Sequence, residues 1–371
     1  MVLQELVLED FRNYAHLDLN PSPGTTVFFG HNAQGKTNLL ESIYLLARGS
    51  SHRAGADAEM VRWDRPSLVV RGVFGGASRS VEIEVSYSEQ KGKSVLVNGI
   101  PRRQAEGLVP QVRVVLFVPD DLQMVKGAAS LRRRFLDQEI SQVDPTYAFD
   151  LSRYAKVLGQ RNSLLRAGAS PADPSVEIWT EQLIDHGGRL YQKRLLALRK
   201  IAPVARGVHS RFAPEEDLNV LYRPSVPLRG DEAIPQVEEA FRRRLRERAN
   251  LERQKAVTLV GPHRDDIVFS LNGTDARQYG SQGQQRSIVV SVKVSEIEFL
   301  RVETGDLPVL LLDDILSELD ASRRHRLLEA VSKDVQVFLT CTDHSPFRPD
   351  LPTRTEYYHV QSGQVEMVSG G

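Results

Sequence analysis

Over the first hundred residues, apolar and polar side chains alternate with a period of two, which predicts a sheet. "LQELVLEDF" reads as a strand, and "TTVFFG" as a short buried strand running into a glycine loop. In "KTNLLESIYLLARG" the period lengthens, with Leu39, Leu40, Ile43, Tyr44 and Ala47 at helical spacing until Gly49 closes the run. "SLVVRGVF", "SVEIEVSY" and "SVLVNGI" return to strand alternation, and Asn98-Gly99 supplies a two-residue hairpin turn. From about residue 120 the texture becomes helical, long and charged, as in "SLRRRFLDQEISQV" and "EAIPQVEEAFRRRLRERANLERQKA". Pro171, Pro174, Pro214, Pro224 and Pro227 interrupt it, so no long heptad run survives and a compact helical insertion is expected rather than a coiled coil. Strand texture returns at "VTLVGPHRDDIVFSLNG". A helix pattern over 283–301 follows, then "PVLLLDD", a helix from 320, "VQVFLTC" and a hairpin around "QSGQV". The expected layout is one α/β domain in two pieces, 1–122 and 256–371, interrupted by a mainly helical lobe over 123–255.

Composition adds limits to this picture. A chain of 371 residues with 41% hydrophobic and 26% charged residues has room for two domains and the make-up of a soluble globular protein. Glu5, Glu9 and Asp10 near the N-terminus exclude a signal peptide, and runs such as "VVLFV" are too short to span a bilayer, so no membrane role is expected. The single Cys341 cannot form a disulfide within the chain, which suits a reducing, cytoplasmic setting. The net charge of zero conceals a basic segment: 126–255 carries 24 Lys and Arg against 17 Asp and Glu. A surplus of that kind suits a polyanionic partner, or a solvated helical surface.

The chemistry begins in "GHNAQGKTN". Gly30 and Gly35 let successive backbone N–H groups point at phosphate oxygens, Lys36 brings a charge to the β- and γ-phosphates, and the Thr37 hydroxyl can bind Mg²⁺. Asn32 and Asn38 belong to the same loop and helix start and are taken with them as nucleotide-binding residues. "VLLLDD" supplies the carboxylates at the end of a buried strand: Asp313 for Mg²⁺, directly or through water, and Asp314 to polarise an attacking water. Lys36, Asp313 and Asp314 are therefore the catalytic candidates. "SQGQ", Ser281, Gln282, Gly283 and Gln284, is a capped helix start with N–H groups available to an anion.

These stretches resemble the ABC-type ATPases, with Gly280–Gln284 like their signature motif and "LSELD" at 316–320 like their D-loop. The resemblance implies an ATP and Mg²⁺ site completed by the serine and glycine of a second subunit. The 245 residues between Lys36 and Ser281 leave space for an inserted lobe, as in chromosome-maintenance and repair ATPases. "FRNY" at 11–14, "GKTNLLESIYLL", "RRRFLD" at 132–137, "RNSLLR" at 161–166, "GPHRDD" at 261–266 and "SQGQQRS" together closely resemble the RecF family. That resemblance implies an ABC-type P-loop ATPase head, with a mixed sheet and an antiparallel β layer, plus a compact second lobe. It also implies ATP-dependent homodimerisation, DNA binding, slow ATP hydrolysis, and RecR and RecO as partners in loading a recombinase at gapped DNA; the sequence carries no helix-turn-helix or zinc motif, so base-specific reading is not expected. Arg12 and Asn13 carry over as nucleotide contacts. Departures from the ABC pattern are an uncertain Mg²⁺-binding glutamine, with Gln111 and Asp120 as candidates, and Cys341 near the usual histidine position, with His344 three residues on. Asp314 is one methylene shorter than the usual glutamate, and turnover below about 10 s⁻¹ is expected. Arg132–Arg134, Arg242–Arg244, Arg246 and Arg248 are candidates for DNA phosphate contacts, and "GPHRDD" receives no assigned role. The alternatives are a transporter ATPase subunit, which the basic insertion disfavours, and a kinase or GTPase, which lacks support from any "NKxD" motif.

Overall fold

The computed structural model describes residues 1–76, 79–102, 111–228, 230, 232–331, 334–345, 348–352 and 354–368. The chain forms two compact units, one from residues 1–123 and 293–371, the other from 124–292.

The first unit holds two six-stranded sheets. Strands β1 (Val2–Phe11), β2 (Tyr14–Leu19), β4 (Ser67–Gly75), β5 (Ser80–Ser88), β6 (Gly92–Val97) and β7 (Ile100–Pro101) form an antiparallel sheet in the order β2-β1-β4-β5-β6-β7. Its period-two patterning fits a sheet with one face buried, as in β4, where Leu68, Val70 and Phe74 point to the core. Asn98 and Gly99 take positive φ of 50° and 75°, as the turn before β7 requires. The second sheet is mixed: β3 (Thr25–Phe29), β8 (Val114–Phe117), β12 (Val309–Asp313), β13 (Val337–Cys341), β14 (Thr355–Gln361) and β15 (Gln364–Val368) lie in the order β15-β14-β3-β13-β12-β8. All pairs are parallel except the closing β14–β15 hairpin. Helix α1 (Lys36–Arg48) packs against strands of both sheets and is buried on nearly every side. Leu39, Leu40 and Leu45 have no exposed surface, and each contributes about 1.5–3 kcal/mol by its burial.

The second unit contains α2 (Ala129–Val143), α3 (Pro145–Arg166), α4 (Pro174–Phe212), α5 (Ile234–Lys255) and the short α6 (Ala276–Tyr279), with the three-stranded sheet β11-β10-β9. Asp144 caps α3 by accepting from the N–H groups of Thr146 and Tyr147, and Pro145 sets the first turn. This unit extends past the expected boundary at 255. The reason is pairing: β10 (Asp266–Leu271) lies antiparallel to β9 (Leu218–Arg223), so the strand texture after 256 belongs to this lobe until the chain returns within α7 (Gln282–Thr304). Residues 257–261 read as strand but form a loop, and β11 (Thr274–Asp275) is a two-residue strand. The last helix, α8 (Ala321–Ala330), lies in the first unit.

An ionic core organises the second unit. Arg132, Arg161 and Arg194 are at most 2% exposed. Arg132 pairs with both oxygens of Asp266 at 2.7 and 3.0 Å and donates to the carbonyls of Met124, Val125 and Gly127. Arg161 binds Glu252, Thr258 and Thr180, and Arg194 binds Asp137 and the Pro262 carbonyl. Asp265, with no exposed surface, accepts from the Ser225 N–H and from Tyr191 and Tyr222, with Arg194 3.5 Å away. Burial pushes the Asp265 carboxyl above its ordinary range, against the pull of Arg194 and these hydrogen bonds. His263 sits between the Tyr154 hydroxyl and the Thr258 carbonyl, and burial lowers its pKa to about 4, so it is neutral at pH 7. "GPHRDD" is thus the hub of this core, and Arg132 is enclosed rather than available to DNA. Replacing Asp265 by alanine leaves the Tyr222 hydroxyl and the Ser225 N–H without their acceptor, while Arg194 keeps Asp137 and Tyr191 keeps Ser225. The expected loss is about 2–5 kcal/mol, read as a lower urea midpoint for unfolding of the whole chain.

Candidate nucleotide site

The glycine loop leaves β3 at Gly30 and enters α1 at Lys36. Gly30 has φ 147°, and a Cβ there would lie 2.4 Å from the Val360 carbonyl oxygen. Gly35 has φ 117°, and a Cβ would meet the Asn13 side chain at 2.5 Å and the Tyr14 hydroxyl at 2.8 Å. Neither position admits a side chain, because the loop is gripped from outside. Asn13 Nδ2 donates to the Gln34 carbonyl at 2.9 Å, Tyr14 donates to the Gly35 carbonyl at 3.1 Å, and Gln34 in turn accepts from the N–H groups of Ser362 and Gly363. The turn after β1 and the β14–β15 turn therefore hold the loop open from two sides.

Lys36 folds back over the loop, donating from Nζ to the carbonyls of Gly30 at 2.7 Å and His31 at 2.8 Å. Burial lowers its pKa, and the nearby Asp314 and Asp313 offset part of that. Thr37 Oγ1 donates to Asp313 Oδ1 at 2.9 Å, and Thr340 Oγ1 donates to the same oxygen at 2.7 Å. The helix start and the strand end are thereby joined across 276 residues of sequence. Asp314 turns off β12 with φ 51°; its N–H donates to Thr340 Oγ1, and its carboxylate accepts from Ser317. Burial raises the Asp314 pKa, and the neighbouring Asp313 raises it further.

Arg12 and Asn13 flank this loop. Arg12 forms a two-pronged ion pair with Glu41, from Nε at 2.9 Å and Nη2 at 2.6 Å. Asn13 accepts from Asn38, whose own oxygen accepts from Arg53 at 3.0 Å. Glu41 is fully buried and also receives Ser51. Burial opposes its ionisation, but Arg12 and Ser51 hold its carboxyl below the ordinary range. Neither Glu41 nor Arg53 was anticipated from sequence. A glutamate inside the apolar run "LLESIYLL" was the available signal, since a buried charge demands a partner. Asn32 is exposed.

Cys341 is buried at the end of β13, where desolvation pushes its thiol to about 12. His344 packs at a tilt against Phe29, the residue before Gly30, at a centroid distance of 4.4 Å, and among the described residues its Nδ1 has no hydrogen-bond partner. Gln111 and Asp120 lie on either side of β8.

Ser281, Gln282, Gly283 and Gln284 belong to the second unit, not to the one that carries the glycine loop. Ser281 and Gln284 form a reciprocal cap: the Ser281 N–H donates to Gln284 Oε1 at 2.8 Å, and the Gln284 N–H donates to Ser281 Oγ at 3.2 Å. Ser281 and Gln282 are exposed, so the tip of α7 faces solvent.

Comparison with known proteins fits this geometry. Residues 2–361 match the model of the RecF/RecN/SMC N-terminal domain. The chain is 43% identical to the DNA replication and repair protein RecF of Symbiobacterium thermophilum, with all of both chains covered. The chain belongs to the RecF family. Two solved structures of the recombination mediator RecF, one described as RecF-ATPrS and one as RecF-ATP in the RecFOR pathway, superpose with TM-scores of 0.91 and 0.89 at 34% and 33% identity. Each comparison covers 99% of this chain and 98% of the other. The fold is accordingly that of a RecF-type ABC ATPase head, and the protein is an ATPase of that class. Among the described residues, no helix is long and apolar enough to cross a membrane.

Proposed function

We propose that this RecF-family protein is an ATP-gated DNA clamp of recombinational repair, acting at gapped or junction DNA with RecR- and RecO-type partners to load a recombinase. The contact that carries this reading is Thr37–Asp313, which pairs the first turn of α1 with the strand-end carboxylate. A hydroxyl and a carboxylate oxygen at that spacing fit Mg²⁺, a hard ion that takes few protein ligands and keeps water and phosphate oxygens for the rest. When bound, Mg²⁺ neutralises charge on the β- and γ-phosphates. Lys36 then exchanges its two carbonyl partners for phosphate oxygens, and Asp314 accepts a proton from the attacking water. Ser281 and Gly283 of a second copy close over the γ-phosphate, so ATP favours the paired state because only that state supplies the second set of donors. The solved relatives are recombination mediators of the RecFOR pathway, which supports the choice of partners.

DNA binding follows from the basic second unit. With Arg132 enclosed and Arg242 paired to Glu181 and Glu239, the arginines left exposed include Arg134, Arg243, Arg246 and Arg248. Binding to gapped duplex, measured by fluorescence anisotropy with ATP present, should weaken steeply with salt. Replacing Arg243 and Arg246 by glutamine should lower the slope of log affinity against log salt by roughly 1–2. An unchanged slope would remove this face from the DNA path, and binding that needs no nucleotide would remove the gate.

A further inference from the structure

The tip of α7 is held from behind. Gln284 Oε1 caps the Ser281 N–H, and Gln284 Nε2 donates to Glu216 Oε1 at 3.0 Å. The other oxygen of Glu216 faces His209 Nε2 at 2.9 Å. His209 has no exposed surface, and its Nδ1 lies 3.1 Å from Ser291 Oγ, two and a half turns further along α7. Ser291 in turn donates to the Ser287 carbonyl.

A primary amide has one accepting and one donating end, and nothing in its shape decides which faces which neighbour. Here a carboxylate decides. Glu216 can only accept when ionised, so it draws the NH₂ end of Gln284 and turns the carbonyl end toward the Ser281 N–H. With its own N–H satisfied and its oxygen occupied as an acceptor, Ser281 keeps its hydroxyl proton to donate outward. The Gln282 and Gly283 N–H groups open the helix beside it, in the turn where no carbonyl of the helix can reach them. The same carboxylate is tied through His209 to the body of α7, so the tip cannot turn independently of the helix.

We propose that Glu216 is a positioning residue for the signature helix, fixing the Gln284 amide so that Ser281 and Gly283 present donors to a nucleotide phosphate. This rests on the reading of Ser281 and Gly283 as the closing elements of the partner's site. It assigns Glu216 no contact with nucleotide.

The test is a double-mutant cycle on the ATP-dependent dimer, followed by sedimentation, with Ser281→Arg as a reference. Glu216→Gln and Gln284→Ala should each weaken the dimer about tenfold, the effect of losing one hydrogen bond to a charged group. The double variant should be no worse than Gln284→Ala alone, while ATP affinity of the monomer stays within about twofold. A fold-stability role would instead give additive losses and a lowered unfolding midpoint, and that outcome overturns the proposal. If Glu216→Gln does not fold, Gln284→Glu reports the same link from the half-exposed side: two facing carboxylates should weaken the dimer at least tenfold. A wild-type dimer from Gln284→Glu overturns the proposal. Loss of the dimer in Ser281→Arg with none in Glu216→Gln sinks Glu216 and leaves the clamp. A wild-type dimer in Ser281→Arg sinks the clamp itself.

Discussion

Ser281→Arg should leave the chain folded and able to bind ATP, yet monomeric in its presence. The side chain is exposed at the helix tip, so the fold loses only a cap, about 1 kcal/mol of local helix stability. The glycine loop lies in the other unit and keeps Lys36, Thr37 and Asp313 intact. Dimerisation loses far more. A long side chain displaces a hydroxyl where backbone N–H groups must approach an anion, and symmetry repeats the loss at two sites. At about 1.5–3 kcal/mol for each hydrogen bond to a charged group, the pair weakens by roughly 10²–10⁴-fold. Sedimentation with ATP and Mg²⁺ separates the outcomes: wild type shifts to a dimer, and the variant does not. A nucleotide-induced dimer in the variant would show that the triphosphate is not shared.

The second large effect is on turnover. Asp314→Asn keeps the shape of the side chain and the contact with Ser317 while removing its ability to take a proton. ATP hydrolysis should fall about 10²–10⁴-fold, with ATP affinity nearly unchanged and the ATP-held dimer longer-lived. A variant that hydrolyses ATP at the wild-type rate would move the role of base elsewhere.

The features readable from sequence were those governed by near neighbours. Period-two alternation marked β1, β4 and β5 because one face of that sheet packs on α1, and the glycine loop declared itself because backbone geometry demands its spacing. What escaped depended on partners far along the chain. "LNVLYR" gives no sign of being a strand until β10 pairs with it some 45 residues later. Val257–Gly261 has strand composition, but its backbone is occupied by the ionic core, where the Thr258 carbonyl serves His263 and Arg264. Arg132 looked like a surface arginine because Asp266, 134 residues away, is invisible to any local window. For the candidate site, Lys36, Thr37, Asp313 and Asp314 meet in one unit; Glu41 shows in the sequence only as a charge inside an apolar run, and Glu216 required the folded chain to be seen at all.

The order of strands in the mixed sheet has a consequence for biosynthesis. Among the described residues β3, which launches the glycine loop, pairs with β13 and β14 alone. On the ribosome it therefore waits roughly three hundred residues for its neighbours, tens of seconds at about 5–20 residues per second. The second unit is contiguous in sequence and is fully synthesised before that sheet can close. A ligand of the loop can favour folding of the head by mass action only after β13 has been made and the sheet behind the loop can form.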